Sequence, residues 1–154
     1  MAKEKKNPAS QGSTKSVQAS SSSSRDKAIR IASLASDKKA YGLVIMEMKD
    51  LTSYADYFVI CTAESSTQIK AISDNIIEKM KEEGQRPSSV EGLSQSKWVL
   101  LDYADVIVHI FDPDTRLFYD LEKLWLDAPR IEMQQVVVGK TGAPGKRGRA
   151  GSKE

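Results

Sequence analysis

Asp112 and Asp114 stand two residues apart in the sequence HIFDPDTR, directly after an apolar run. Two carboxylates at that spacing can share a magnesium ion, and in nucleotidyl transfer such a pair works beside a Gly-Ser turn. The turn in the corresponding place reads Ala63-Glu64-Ser65-Ser66, without glycine, and its Glu64 would repel a phosphate. The two acids also have a plainer explanation. Asp112 suits the N-cap of a helix with Pro113 in its first position, and Asp114 is a favourable charge in the first turn. His109 is the single histidine, hence the only imidazole base for a hydrolase triad. It alternates with apolar residues in VIVHIF and reads as a strand histidine with a satisfied hydrogen bond. Cys61, the single cysteine, lies in YFVICT and reads as a small buried hydrophobe. One cysteine and one histidine exclude a disulfide framework, a zinc cluster of several thiolates and a two-histidine metal site. Neither phosphate-cradling glycine motif is present. These residues point away from an enzyme and from any cofactor or metal.

The aromatic residues carry a different chemistry, that of recognition. In the stretch around Trp98, period-two alternation puts Trp98, Leu100 and Asp102 on one face and Val99 and Leu101 on the other. The next run places Ile107, His109 and Phe111 opposite Val106, Val108 and Ile110. Trp98 reads equally as core or as the anchor of a partner contact. Glu91, Asp102 and Asp105 flank it as solvated charges or as a rim that attracts a basic partner. Trp98, Leu100, Asp102, Asp105 and Glu91 are therefore the candidate partner-binding surface. Leu117, Phe118, Tyr119, Leu121 and Trp125 crowd nine helical positions. A helix cannot bury every side, so one or two of them are expected at the surface. Apolar groups without an evident place in the core point to a homodimer.

The elements that must position these residues follow from periodicity. Residues 26–41 place Ala28, Ile31, Ala32, Leu34 and Ala35 on one helical stripe, with Gly42 as its stop. Strands are expected at 43–48, 57–62, 97–101 and 105–111, the second apolar throughout and so central. Ser65 or Ser66 caps a helix carrying Ile69, Ile72, Ile76, Ile77 and Met80, and Gly84 ends it. Residues 85–96 read as a polar loop, and Asp102-Tyr103-Ala104 is short enough for a hairpin. The last helix, capped by Asp112, lines one face with Leu117, Leu121, Leu124 and Trp125; Val136–Val138 adds a short strand. The order α-β-β-α-β-β-α predicts a single α/β domain, a mixed sheet with helices packed on it.

The chain has 154 residues, enough for one domain with tails. Lys3, Lys5, Lys6, Lys15 and Arg25 against Glu4 give residues 1–25 a charge of +4. Residues 130–154 carry another +4, so residues 26–129 hold −6. An acidic domain repels nucleic acid and attracts basic partners. Residues 1–24, Ser- and Lys-rich, read as a disordered tail, and 131–154 as a flexible, basic, Gly-rich one, leaving 25–130 as the domain. The tails permit weak, salt-sensitive contact with RNA, or simply aid solubility. An organelle transit peptide is the sharper alternative for 1–24, but it uses Lys before Arg25 and shows no amphipathic stripe. No apolar run approaches 18 residues, so a cytoplasmic protein without a membrane span is expected.

Several blocks together resemble one family. They are Asp56-Tyr57-Phe58-Val59-Ile60, then Ser65 and Gln68, then Glu91-Gly92, then Trp98-Val99-Leu100-Leu101-Asp102-Tyr103. Val108-His109-Ile110-Phe111 and the run from Arg116 through Trp125 complete the set. Over residues 26–128 the chain looks like the ribosomal silencing factors, also called iojap-like proteins. It departs from them at Ala63, where the family usually has glycine, and near Gly42, where an acid is usual. The resemblance implies a nucleotidyltransferase-like core that has lost its active site. It also implies binding to the large ribosomal subunit through its ribosomal protein fourteen, which blocks joining of the small subunit. Translation then falls under nutrient limitation or in stationary phase. The surface around Trp98 would carry that contact, and the RNA within reach of the basic tails would be ribosomal RNA. A degenerate nucleotidyltransferase and a general protein-interaction module are the competing readings.

Overall fold

The structure, a computed structural model, describes residues 24–132. The expected tails fall outside these residues except at their inner ends, and so does Val136–Val138.

Helix α1 covers 24–37, and its expected stripe, Ala28, Ile31, Ala32, Leu34 and Ala35, is fully buried. Its stop is not Gly42. The chain turns at Lys39, which takes a left-handed φ of 69°, and the Ala40 N–H reaches back to the Ala35 carbonyl at 3.2 Å. Gly42 instead lies inside strand β1 (Tyr41–Glu47), where the pairing with β2 (Tyr57–Thr62) shifts register. Its φ is +61°, and a Cβ there would come within 2.7 Å of an Arg116 guanidinium nitrogen. Glycine is needed for the bulge and for that approach.

Helix α2 (Ser66–Glu82) is capped by the Ser65 side chain, which accepts the Gln68 N–H, and it buries Ile69, Ile72, Ser73, Ile76 and Met80. The rest of the sheet is β3 (Ser89–Glu91), β4 (Trp98–Asp102), β5 (Val106–Phe111) and β6 (Arg130–Glu132). The spatial order is β3-β4-β5-β2-β1-β6. β2 and β5 pair in parallel at the centre, and the other neighbours pair antiparallel. The expected mixed α/β sheet is thus observed, with two additions. β3 occupies part of the stretch read as a polar loop. β6 carries the fold through Glu132, past the expected boundary at 130, and Ser24 at the other end belongs to α1.

The sheet has two unlike faces. On one, Ile45, Tyr57, Val59, Cys61, Val99, Leu101, Val108 and Ile110 pack beneath α1 and α2. On the other, Val44, Met46, Phe58, Ile60, Ile107 and Phe111 meet, among the described residues, only short pieces of chain. The single last helix expected there is two: α3 (Pro113–Tyr119) and α4 (Leu121–Leu124). Asp120 breaks it with a left-handed φ of 45°, a conformation that a short polar side chain tolerates. Neither piece contains a buried residue. Of the five residues expected to leave one or two at the surface, three are exposed, Leu117, Phe118 and Tyr119, while Leu121 and Trp125 are half-buried against the sheet; Leu124 and Leu126 are exposed as well.

Candidate partner-binding site

The β4–β5 hairpin builds the site. Its register sets Trp98 opposite Phe111, Leu100 opposite His109 and Asp102 opposite Ile107. These side chains therefore share the thinly covered face. Glu91 on β3 lies opposite Leu100 and is exposed, so it joins the same face. Trp98 is half-buried, and its ring lies 5.0 Å from Phe111 and 4.6 Å from Tyr119, centroid to centroid. The Tyr119 ring is in turn 4.9 Å from Phe118, which is 79% exposed. An aromatic row thus runs from beneath the sheet surface out to solvent on α3. Gly92 closes the other side of Trp98: at φ +87° it passes so near that a Cβ would meet the Trp98 carbonyl at 2.0 Å.

Of the five residues grouped from sequence, four share this face and one does not. Asp105 points to α1. It pairs with Lys27 at 2.6 Å and accepts the Ser24 hydroxyl at 2.7 Å. Burial opposes its charge, but the hydrogen bonds from Lys27 and Ser24 outweigh that and hold the carboxyl below the usual carboxylate range. The misplacement has a simple cause. Asp105 sits past the turn end of the hairpin, roughly 13 Å along β4 from Trp98 at the usual strand rise. Asp102 does share the face, yet one of its oxygens accepts the Ala104 N–H at 2.8 Å and so helps to close the turn. The acidic rim beside Trp98 reduces to Glu91 and the outer side of Asp102, with Lys97 exposed at the strand's start.

His109 lies beneath this surface at 4% exposure. Its Nδ1 accepts the Trp98 indole N–H at 3.1 Å, while its Nε2 has no hydrogen-bond partner among the described residues. The expected satisfied histidine is therefore only half satisfied. Burial pushes its pKa down to about 4. The Phe58 ring stands edge-on to it at 4.7 Å. Cys61 is buried as expected, and burial pushes its thiol up to about 12, far from a reactive thiolate.

Asp112 accepts the Thr115 N–H at 2.8 Å and caps α3, as its spacing predicts. The crevice beyond the carboxyl ends of the parallel pair, where α/β sheets place ligands, holds Arg116. Its guanidinium donates to the Gly42 carbonyl at 2.7 Å and to the Thr62 hydroxyl at 2.8 Å, and pairs with Glu122 at 3.1 Å. Those bonds tie α3 to β1 and β2 and leave the cation neutralised in place. Among the described residues no group of three or more His, Cys, Asp or Glu is placed to hold a metal.

Sequence reasoning missed Tyr119 and Phe118 as extensions of the site and His109 as the partner of Trp98. The signal for His109 was available: the three-residue hairpin connection already forces the strand of Trp98 against the strand of His109 and Phe111.

Comparison with known proteins gives a consistent result. The sequence model of the family described as "Ribosomal silencing factor during starvation" matches residues 21–153. The ribosomal silencing factor of Halalkalibacterium halodurans is 43% identical over 101 residues, 66% of this chain and 86% of that protein. The one from Bacillus subtilis is 40% identical over 97 residues, 63% of this chain and 82% of that protein. A crystal structure of a protein from Chromobacterium violaceum superposes with a TM-score of 0.65 at 30% identity, covering 66% of this chain and 85% of that one.

Proposed function

The chain belongs to the ribosomal silencing factor family, and from that we infer that it acts as a steric anti-association factor on the large ribosomal subunit. The family is one of ribosome regulators and not a family of enzymes. In this reading the protein binds the subunit through its ribosomal protein fourteen and occupies the surface that the small subunit needs. Translation falls accordingly when nutrients are short. The observation that carries the reading is the aromatic row Trp98–Tyr119–Phe118, open to solvent on a sheet face that, among the described residues, no long helix covers. An apolar ring anchored in a well-packed pocket, with acids at its edge, suits a basic protein surface. The −6 charge of residues 26–129 favours the same partner. The basic ends would add salt-sensitive contact with ribosomal RNA. No helix among the described residues is long and apolar enough to cross a membrane. By likeness to the bacterial silencing factors we place the activity in the cytoplasm.

The test is co-sedimentation of the full chain with isolated large subunits, with and without small subunits. Binding that excludes the small subunit supports the reading. Trp98→Ala should weaken binding by about thirtyfold, or roughly 2 kcal/mol. Unchanged affinity in a folded Trp98→Ala protein would sink Trp98 as the anchor. Metal-dependent nucleotide turnover would move the assignment to an enzyme. A second copy is proposed at the α4 end, where Leu124 and Leu126 stand exposed, with sedimentation equilibrium as its check.

A further inference from the structure

We propose that His109 is the positioning residue of the binding face: it takes the Trp98 indole N–H inward, so that the ring's carbon edge is what meets a partner. The proposal rests on Trp98 being the anchor and adds how the anchor is held. An indole nitrogen only donates, so the 3.1 Å contact with Nδ1 has one direction. An Nδ1 that accepts leaves the ring proton on Nε2, which fixes the tautomer. The imidazole must also stay neutral to accept, and its depressed pKa, about 4, keeps it so at neutral pH.

Three further observations support a built arrangement. Nε2 is buried with no hydrogen-bond partner among the described residues, a cost that a purely structural aromatic or aliphatic residue would avoid. The histidine is itself wedged, with Phe58 edge-on at 4.7 Å and Phe111 nearly parallel at 6.1 Å. The indole is held from the outer side by Tyr119 at 4.6 Å. The ring thus has one pose, with its polar atom satisfied inside the protein. A partner then needs to supply no acceptor, and side chains with aliphatic or cationic character fit the exposed ring. Pre-setting the pose also removes rotamer entropy that binding would otherwise have to overcome.

The experiment compares two variants of the full chain. His109→Asn keeps a hydrogen-bond acceptor in the place of Nδ1, whereas His109→Leu fills similar space without one. Nuclear magnetic resonance follows the Trp98 indole N–H, identified by its absence in Trp98→Phe. Binding to isolated large subunits is measured in parallel. In the unaltered protein the indole proton should be protected from solvent exchange. His109→Asn should keep that protection and bind within about twofold of the unaltered protein. His109→Leu should lose protection and bind about tenfold more weakly, as the loss of one positioning hydrogen bond implies. An unprotected indole proton in the unaltered protein overturns the proposal, and that measurement needs no variant to fold. So does identical behaviour of the two His109 variants. If Trp98→Ala binds normally while the indole is protected, the anchor reading fails and takes the binding role of His109 with it.

Discussion

The two faces of one sheet differ in what covers them. Beneath α1 and α2, whole side chains such as Ile31, Ile69, Ile72 and Ile76 are sealed from solvent. Across the sheet, α3 and α4 bury none of their residues, and Leu117 and Phe118 stand 78% and 79% exposed. Yet the strands beneath them are just as apolar. The same β4 supplies Val99 and Leu101 to the sealed side and Trp98 and Leu100 to the open one. The strand residues of the second face, Met46, Ile60 and Phe111 among them, are sealed too, so the difference lies in the covering pieces, whose apolar side chains face outward and are kept for contact. Exposed apolar side chains grouped like Leu117, Phe118 and Tyr119 on a charged domain mark an interaction site.

The largest test of this contrast is on the sealed side. Ile72→Ala removes a fully buried side chain from the middle of α2. It should cost about 2–5 kcal/mol, read as a lower midpoint in denaturant at unchanged slope. A loss below about 1 kcal/mol would mean that the sealed face is not the main store of stability.

The next effect is electrostatic and lies under the open side. His109 has a pKa of about 4 in the folded chain against an ordinary 6.5, because burial disfavours its charge. Between those values the unfolded chain binds the proton and the folded chain does not. Stability therefore rises with pH across that window. It is complete above about pH 6.5, falls as pH drops toward 4, and changes no further below that. The loss amounts to about 3 kcal/mol, and His109→Asn should abolish this part of the profile. Denaturant titrations of both proteins from pH 4 to 7 decide it. Parallel profiles would show that water reaches the imidazole and that the open face is looser than its packing indicates.

How much of this was legible from sequence follows the same division. The stripe of α1, the bounds of β2 and the α2 cap, to within Ser65 or Ser66, were readable because long elements repeat one simple period. The alternation along β4 put Trp98, Leu100 and Asp102 together correctly. Asp105 was misplaced because nearness in sequence across a hairpin turn is not nearness on a face. The break at Asp120 was hidden because Leu117, Leu121, Leu124 and Trp125 keep helical spacing straight across it. Three-residue strands such as β3 and β6 carry too little pattern to be seen, and their pairing is decided by strands far away in the chain. The indole–imidazole bond depends on side-chain rotamers, which no periodicity encodes.

A smaller effect separates capping from metal binding at the edge of the open face. Asp112 is held below the ordinary carboxylate range by hydrogen bonds from Thr115. Asp112→Ala should cost about 1 kcal/mol, the usual loss for an N-cap, and leave large-subunit binding unchanged. Magnesium binding that vanishes in this variant, measured by calorimetry, would show a metal role instead.

The smallest expected effect is the most direct probe of the open face itself. Leu117 is 78% exposed, so it contributes little apolar burial within one chain. Leu117→Ser should shift stability by no more than about 0.5 kcal/mol, the range of surface substitutions, part of it from lower helix propensity. That holds for thermal melts at about 1 μM protein, where a weak dimer is dissociated. A second copy whose contact reaches from the α4 end across Leu117 has its own signature. The melting temperature of the unaltered protein would rise with concentration, and the gap to Leu117→Ser would widen with it. A gap as large as that of Ile72→Ala and independent of concentration is incompatible with both pictures. It would mean that Leu117 is covered within the single chain, and the two faces would no longer differ.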